Sequence, residues 1–338
     1  MNSVIKSRRY FAVLVAVVAA VAVLLLWPKP QRYITDQGVV WTTEYHITYR
    51  AAKPLTDSIT AVLQRVDTVA SVYNKQSRVS AFNAGHDIVM DDILERLVRA
   101  SLVVNEQSGG AFDPTVMPLV NAWGFGYKTG QMPTQHVIDS LRQFVGMKLL
   151  AIEGNRVVKR DDRTQLDFSS IAKGLAVDEV AAMLRRNGVT DYMVEIGGEV
   201  YCAGVNAQGK PWHVSVDMPG DDPDSHEAAL VLEVDTLGIA TSGNYRKFKQ
   251  DGNRRISHIV NPATGSSEVS NLLSVTIVAH DCMTADAWAT ACMVMGTDAT
   301  QRMMEQRTDL GVMTISADSL GRYVVWSNAP FANLIPEK

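Results

Sequence analysis

The sequence predicts an α+β fold, mixed sheets with packed helices in one globular unit, preceded by a single N-terminal transmembrane helix. Three observations carry this. Amphipathic helical segments and short apolar strands are interleaved without the regular βαβ beat of a parallel-sheet protein. The composition, 46% apolar and 20% charged over 338 residues, suits one large core or two small ones and excludes disordered and collagen-like classes. A single uninterrupted apolar run stands near the N-terminus, behind a basic start.

Residues 1–10 carry Lys6, Arg8 and Arg9 and no carboxylate. Residues 11–27 are apolar throughout, at the short end of what spans a bilayer. Leu24-Leu25-Leu26-Trp27-Pro28 contains no small-x-small cleavage site and no cysteine follows it, so the run reads as a retained signal anchor. The basic flank then orients a single-pass protein in the inner (cytoplasmic) membrane, with its body on the periplasmic or outer side. Residues 28–38 read as a linker and 39–338 as the folded domain, with a first strand at 39–49.

Residues 57–72 place Ile59, Val62, Leu63, Val66, Val69 and Ala70 on one helical face, and 92–106 does the same with Ile93, Leu94, Leu97, Val98 and Leu102. Gly109-Gly110 stops the second helix. A third amphipathic segment, 134–144, turns Val137, Ile138 and Leu141 inward. Short strands at 149–152, 157–159 and 165–168 lead to a helix at 171–186, closed by Asn187-Gly188. Strands follow at 192–196, 200–205, 212–216, 229–234, 256–260 and 274–279. A helix opened by Thr284, another near 299–307 and two terminal strands complete the chain, with no internal repeat.

The formal charge is −4, and without the three N-terminal cations the body is near −7. An acidic body argues against nucleic acid as a partner. Cys202, Cys282 and Cys292 form no CxxC and read as core residues. The spacing of Gly124, Gly126 and Gly130 is not that of a dinucleotide turn, and no strand precedes it. No GxxxxGK[ST], HExxH or GxSxG pattern is present, so the common NTPase, zincin and hydrolase classes lose their usual support.

Three segments carry possible chemistry. Leu166-Asp167-Phe168-Ser169-Ser170-Ile171-Ala172-Lys173-Gly174 hands a strand to a helix; it suits a phosphate site, and equally a helix cap made by Asp167, Ser169 or Ser170. Thr284-Ala285-Asp286-Ala287-Trp288-Ala289-Thr290 sets a carboxylate and a hydroxyl four residues apart on one face. That pair suits magnesium, and equally an N-cap at Thr284 with Asp286 complementing the helix dipole. His258, alone among seven histidines, ends a strand beside a tight turn, where it is available for proton transfer.

Taken in order, several stretches resemble the ApbE family of FAD:protein FMN transferases. They are Ser71-Val72-Tyr73 with Ser77 and Asn83; Ala111-Phe112-Asp113-Pro114-Thr115 through Trp123-Gly124-Phe125-Gly126; the segment from Asp167 to Asp178; and Ile196-Gly197-Gly198. Ala240-Thr241-Ser242-Gly243-Asn244-Tyr245-Arg246, Ser257-His258-Ile259 with Pro262 and Thr264-Gly265, and Thr284-Ala285-Asp286 with Thr290 complete the set. The resemblance implies a magnesium-dependent enzyme that moves FMN from FAD onto a threonine or serine hydroxyl of an acceptor protein and releases AMP. An FAD pyrophosphatase and a non-catalytic flavin-binding protein are the alternatives.

By the same resemblance Mg2+ is held by the Asp286 carboxylate, the Thr290 hydroxyl and the Ala172 carbonyl. FAD is contacted by Tyr73, Asn74, Lys75, Ala111, Phe112, Asp113, Ser169, Leu175 and Ile256, several through backbone atoms, with Trp41 at one edge. His258 takes the acceptor's proton and Lys173 shares the pyrophosphate charge. The acceptor is expected to be a subunit of a membrane redox complex carrying a flavinylation motif. The chain departs from the family's usual wording at Trp41-Thr42-Thr43, where Met-Gly-Thr is common, at Met117, where glycine is, and at Glu195, where asparagine is.

Overall fold

The chain enters the fold through a hairpin, β1 (Arg32–Val40) and β2 (Thr43–Ala51), whose strands pair along their whole length. The linker expected at 28–38 therefore gives way to strand at Arg32, since Tyr33 and Ile34 are apolar enough to pack even on an edge. The two-residue turn, Trp41-Thr42, has φ of 49° and 64°, the left-handed pair that a tight hairpin requires. The computed structural model describes residues 31–126, 132–220, 228–244, 248–251, 254–267 and 270–336. The membrane span expected at 11–27 lies outside these; among the described residues no helix is long and apolar enough to cross a membrane.

After the hairpin come α1 (Thr56–Ala70), α2 (Arg78–Asn83), β3 (Ile88–Val89), α3 (Asp92–Gln107), α4 (Met117–Ala122) and α5 (Gln135–Arg142). Strands β4 (Leu150–Glu153) and β5 (Arg156–Lys159) join β3 in a small sheet. Helix α6 (Ala172–Arg186) leads to β6 (Tyr192–Ile196), β7 (Glu199–Ala203), β8 (Trp212–Asp217), β9 (Ala228–Val234) and β10 (Leu237–Gly243). Then come β11 (Phe248–Asp251), β12 (Arg254–Ser257), β13 (Leu272–Ala279), α7 (Cys282–Met295), α8 (Thr297–Met304), β14 (Gly311–Ala317), β15 (Tyr323–Ser327) and α9 (Ala329–Ala332).

The main sheet has eight strands in the order β1-β2-β6-β7-β10-β13-β14-β15. Every strand pair described is antiparallel, which corrects the mixed sheet expected. The reason is local: the sheet grows by hairpins, and its long connections return on the opposite heading. Residues 165–168 form no strand; Gln165 makes a lone parallel bridge to Val116.

Helices α1, α3, α6 and α7 cover one face of this sheet over the larger core, and the β8–β9 ribbon with α9 covers the other. The predicted faces of α1 and α3 hold, except that Ser101 turns inward and Leu102 outward. On α5 only Ile138 is buried; Leu141 is half-buried and Val137 exposed. All three cysteines are free and buried.

Candidate active site

Helices α6 and α7 lie side by side with their first turns in contact, and each caps the other. Asp178 of α6 accepts the backbone N–H groups of Cys282 and Met283, both at 2.9 Å, while Asp286 of α7 accepts the N–H of Gly174 at 3.0 Å. The contact is close because Gly174 has no side chain: a Cβ there would lie 2.3 Å from the Cys282 carbonyl oxygen. Gly238 of β10 serves the same end on the far side, where a Cβ would lie 2.3 Å from the Cys282 nitrogen. The helix-capping half of each alternative left open above does not hold. Neither Asp167, Ser169 nor Ser170 caps α6, whose N-cap, Ile171, has no side-chain bond. The N-cap of α7 is Asp281, which accepts from Thr284 N–H at 2.6 Å, so the helix opens at Cys282 and Thr284 is not its cap.

Lys173 projects from the first turn of α6 and pairs with Glu199 at the start of β7. Glu199 and Asp286 are 2% and 3% exposed, and the second oxygen of Glu199 has no hydrogen-bond partner. Burial pushes the Glu199 carboxyl up to about 8 against the pull of Lys173, and raises Asp286 for the same reason. Burial alone would lower the Lys173 ammonium, but Glu199 and then Asp286 outweigh it and hold the pKa above its ordinary value. One ammonium thus serves two buried carboxylates, and the cluster is short of positive charge.

Thr290, one turn beyond Asp286, comes within 3.4 Å of the Ser242 hydroxyl on β10, a long contact. The donor chemistry here fits a hard divalent cation: a buried carboxylate, a hydroxyl on the same helical face, and a local deficit of positive charge. Ala172, the first residue of α6, lies beside the same junction. Among the described residues no three His, Cys, Asp or Glu side chains converge on a metal geometry. A metal at this junction would rest on few protein ligands, as magnesium commonly does when it shares substrate phosphates.

A rim of aromatic and polar groups forms a second neighbourhood. Tyr73 is 64% exposed and its hydroxyl reaches the Phe125 carbonyl at 3.5 Å. The Phe125 ring meets the imidazole of His258 edge-on, with centroids 6.4 Å apart. Partial burial raises the Tyr73 pKa, and the nearby Asp167 carboxylate adds to it. Asp167 in turn accepts both the N–H and the hydroxyl of the exposed Ser169. The rim therefore brings together Tyr73 and His258, 185 positions apart in the sequence.

The remaining residues expected at a flavin divide into two groups. Trp41 and Asn74 are tied to the two oxygens of one carboxylate, Asp67, at 2.9 and 2.6 Å, beside Tyr73, and Lys75 is exposed. Phe112, Leu175 and Ile256 are buried whole, at 1%, 0% and 1% exposure, so neither their side chains nor their backbone atoms are open at the surface. Asp113 is fully engaged with Thr115 N–H and hydroxyl and with Met147 N–H, and acts as a turn-former. Ala111, half-buried, precedes it.

Sequence reasoning missed Glu199, Asp178, Asp67 and Ser242. For the first two a signal was present: Glu199 opens an otherwise apolar strand directly after Gly197-Gly198, and Asp178 interrupts the apolar run Leu175-Ala176-Val177.

Cross-capped helices presenting a lysine and two buried carboxylates beside an open aromatic rim are the makings of an enzyme site for a charged, ring-bearing substrate. The chain belongs to the ApbE family, whose sequence model matches residues 41–314. It is 36% identical over 329 residues to the FAD:protein FMN transferase of Vibrio cholerae, covering 93% of this chain and 98% of that one. To the FAD:protein FMN transferase of Escherichia coli K12 it is 31% identical over 312 residues, covering 89% and 88%. Among solved structures it superposes on the flavin transferase ApbE from Vibrio cholerae with a TM-score of 0.81 at 33% identity, covering 90% of this chain and all of that one. The apo flavinyl transferase ApbE of Pseudomonas stutzeri gives 0.80 at 32% identity, covering 90% and 97%.

Proposed function

We propose that this chain transfers FMN from FAD to a serine or threonine hydroxyl of an acceptor protein and releases AMP. The observation that carries the reading is the Lys173–Glu199–Asp286 cluster where α6 and α7 meet, in a chain whose relatives are named FAD:protein FMN transferase. Asp286, Thr290 and the Ala172 carbonyl would hold magnesium, whose bound form supplies charge neutralisation at a pyrophosphate. Lys173, its side chain about one-third exposed, is placed to share that task from the helix N-terminus.

In the reaction the acceptor oxygen forms a bond to the FMN phosphorus as the bond from that phosphorus to the bridging oxygen of AMP breaks. The acceptor proton leaves to His258, and AMP departs with the bridging oxygen. Tyr73 offers a largely open ring on which the isoalloxazine can stack, and Asp67 ties Trp41 to Asn74, the residue next to Tyr73. A flavin carrier without turnover would need the rim but not the buried cluster. We place residues 11–27 across the inner membrane with the domain on its periplasmic side, and the acceptor among the subunits of a membrane redox complex; the basic flank of the apolar run supports the orientation.

The test is incubation of the protein with FAD, magnesium chloride and lysate or purified acceptor, followed by denaturing electrophoresis and in-gel flavin fluorescence. A fluorescent acceptor band is expected from the parent protein, absent with chelator and reduced by orders of magnitude in folded Asp286→Asn. FMN and AMP in solution with no labelled protein would make the enzyme a pyrophosphatase. Undiminished labelling by Asp286→Asn would end the metal assignment.

A further inference from the structure

We infer that Asp178 is a positioning residue for the metal site, acting from a distance by fixing the register between the two helices that carry its ligands. The inference rests on the reading of Asp286, Thr290 and Ala172 as magnesium ligands and goes beyond it, since Asp178 touches none of the three. Its two oxygens accept the N–H groups of Cys282 and Met283, the first two residues of α7. Each oxygen takes one bond, so the carboxylate fixes both the height and the rotation of that helix end relative to α6.

The reciprocal bond from Gly174 N–H to Asp286 ends on a proposed ligand itself. The positions of Ala172 on α6 and of Asp286 and Thr290 on α7 are therefore set by the same two-way cap. A slip of either helix would move donors from the two helices apart, and a magnesium ion needs near-ideal octahedral geometry.

The packing leaves little slack for such a slip to be absorbed. The first turn of α7 is wedged between Gly174 and Gly238, each close enough that a Cβ would overlap Cys282 backbone atoms at 2.3 Å. Neither glycine has a positive φ, so the space, not the backbone conformation, requires it. Asp281, by contrast, caps α7 from within its own chain segment. It stabilises the helix without tying it to α6.

The experiment is a magnesium chloride titration of the full-length protein in detergent, without FAD, read by thermal melting and by calorimetry. The variants are Asp178→Asn, Gly174→Ala and Asp281→Ala. Asp178→Asn keeps one acceptor oxygen but sets an amide N–H2 against an N–H donor. Gly174→Ala forces the same pair of helices apart without altering a polar group, and decides the matter if Asp178→Asn does not fold.

Asp178→Asn and Gly174→Ala are expected to raise the half-saturating magnesium concentration tenfold or more. Asp281→Ala is expected to lower the melting temperature while leaving that concentration within twofold of the parent. A folded Asp178→Asn or Gly174→Ala with parent magnesium saturation overturns the inference, and so does an equal shift in Asp281→Ala, which would reduce the role to general stability. A parent protein that takes up no magnesium even when the titration is repeated with FAD present overturns the reading beneath it, a result distinguishable from the others because the variants play no part in it.

Discussion

Replacing Lys173 with methionine tests whether the ion pair at the head of α6 is structural ballast or a charge held for use. The substitution keeps most of the stem and removes the ammonium. What remains is Glu199, 2% exposed with one oxygen already unpartnered, facing Asp286 without a counter-charge. Above about pH 8, where Glu199 is ionised in the parent, removing one partner of a buried pair costs about 3–5 kcal/mol, because the stranded charge must protonate or stay unpaired. In a domain of this size that lowers the melting temperature by roughly 5–15 °C. Adding Glu199→Gln should recover much of the loss, giving a coupling of at least about 1 kcal/mol in a double-mutant cycle followed by urea unfolding. Transfer should not recover in the double variant, since the lysine is gone. If Lys173→Met lies within about 0.5 kcal/mol of the parent, or the two losses simply add, the charge reasoning is wrong.

Three further outcomes are expected. His258→Ala should leave the FAD dissociation constant, measured by flavin fluorescence quenching, near the parent value while single-turnover transfer slows by roughly 10²–10⁴; an unchanged rate would assign the proton to another group. Thr42→Gly should stabilise the protein by about 0.5–1 kcal/mol in chemical denaturation, since a β-branched residue at φ 64° carries a left-handed penalty of about 1–2 kcal/mol that glycine avoids, less its own chain entropy. Stability should also fall as pH rises from about 4 to 7 through Asp178. Burial pushes its carboxyl up to about 7, opposed by the Cys282 and Met283 N–H groups and Arg96 and aided by Asp281, with Tyr192 and Tyr201 nearby. The unfolded chain ionises this group first, so the native state holds the extra proton in that window. Asp178→Asn should remove up to about 1.4 kcal/mol per pH unit of slope, measured as urea midpoints across the range.

The parts of the fold that could be read ahead are those where burial is one-sided. Helices α1 and α3 and strands β6 and β8 carry apolar residues at a clean period. Strand β10 escaped because Leu237-Gly238-Ile239-Ala240-Thr241-Ser242-Gly243 is small and polar in alternation with little bulk. It is central all the same, since small residues are what let α7 approach it. At the site, Asp286, Thr290, Lys173 and His258 were visible as chemistry. Their relations were not: the Lys173–Glu199 pair and the Asp67 bridge join residues that only the sheet order and helix packing bring together.

Both halves of the mutual cap span more than a hundred positions, 112 from Gly174 to Asp286 and 104 and 105 from Asp178 to Cys282 and Met283. A polypeptide emerging from the ribosome N-terminus first exposes α6 long before its partner exists. Long loops add little to the closure entropy once both ends are present, but nothing shortens the wait for the second end. The site is therefore acquired late, when only α8, β14, β15 and α9 have still to emerge. A nascent chain, or one truncated ahead of Cys282, has the rim, the lysine and most of the sheet and still lacks two of the three groups assigned to the metal, so half-made copies are expected to be inert toward FAD.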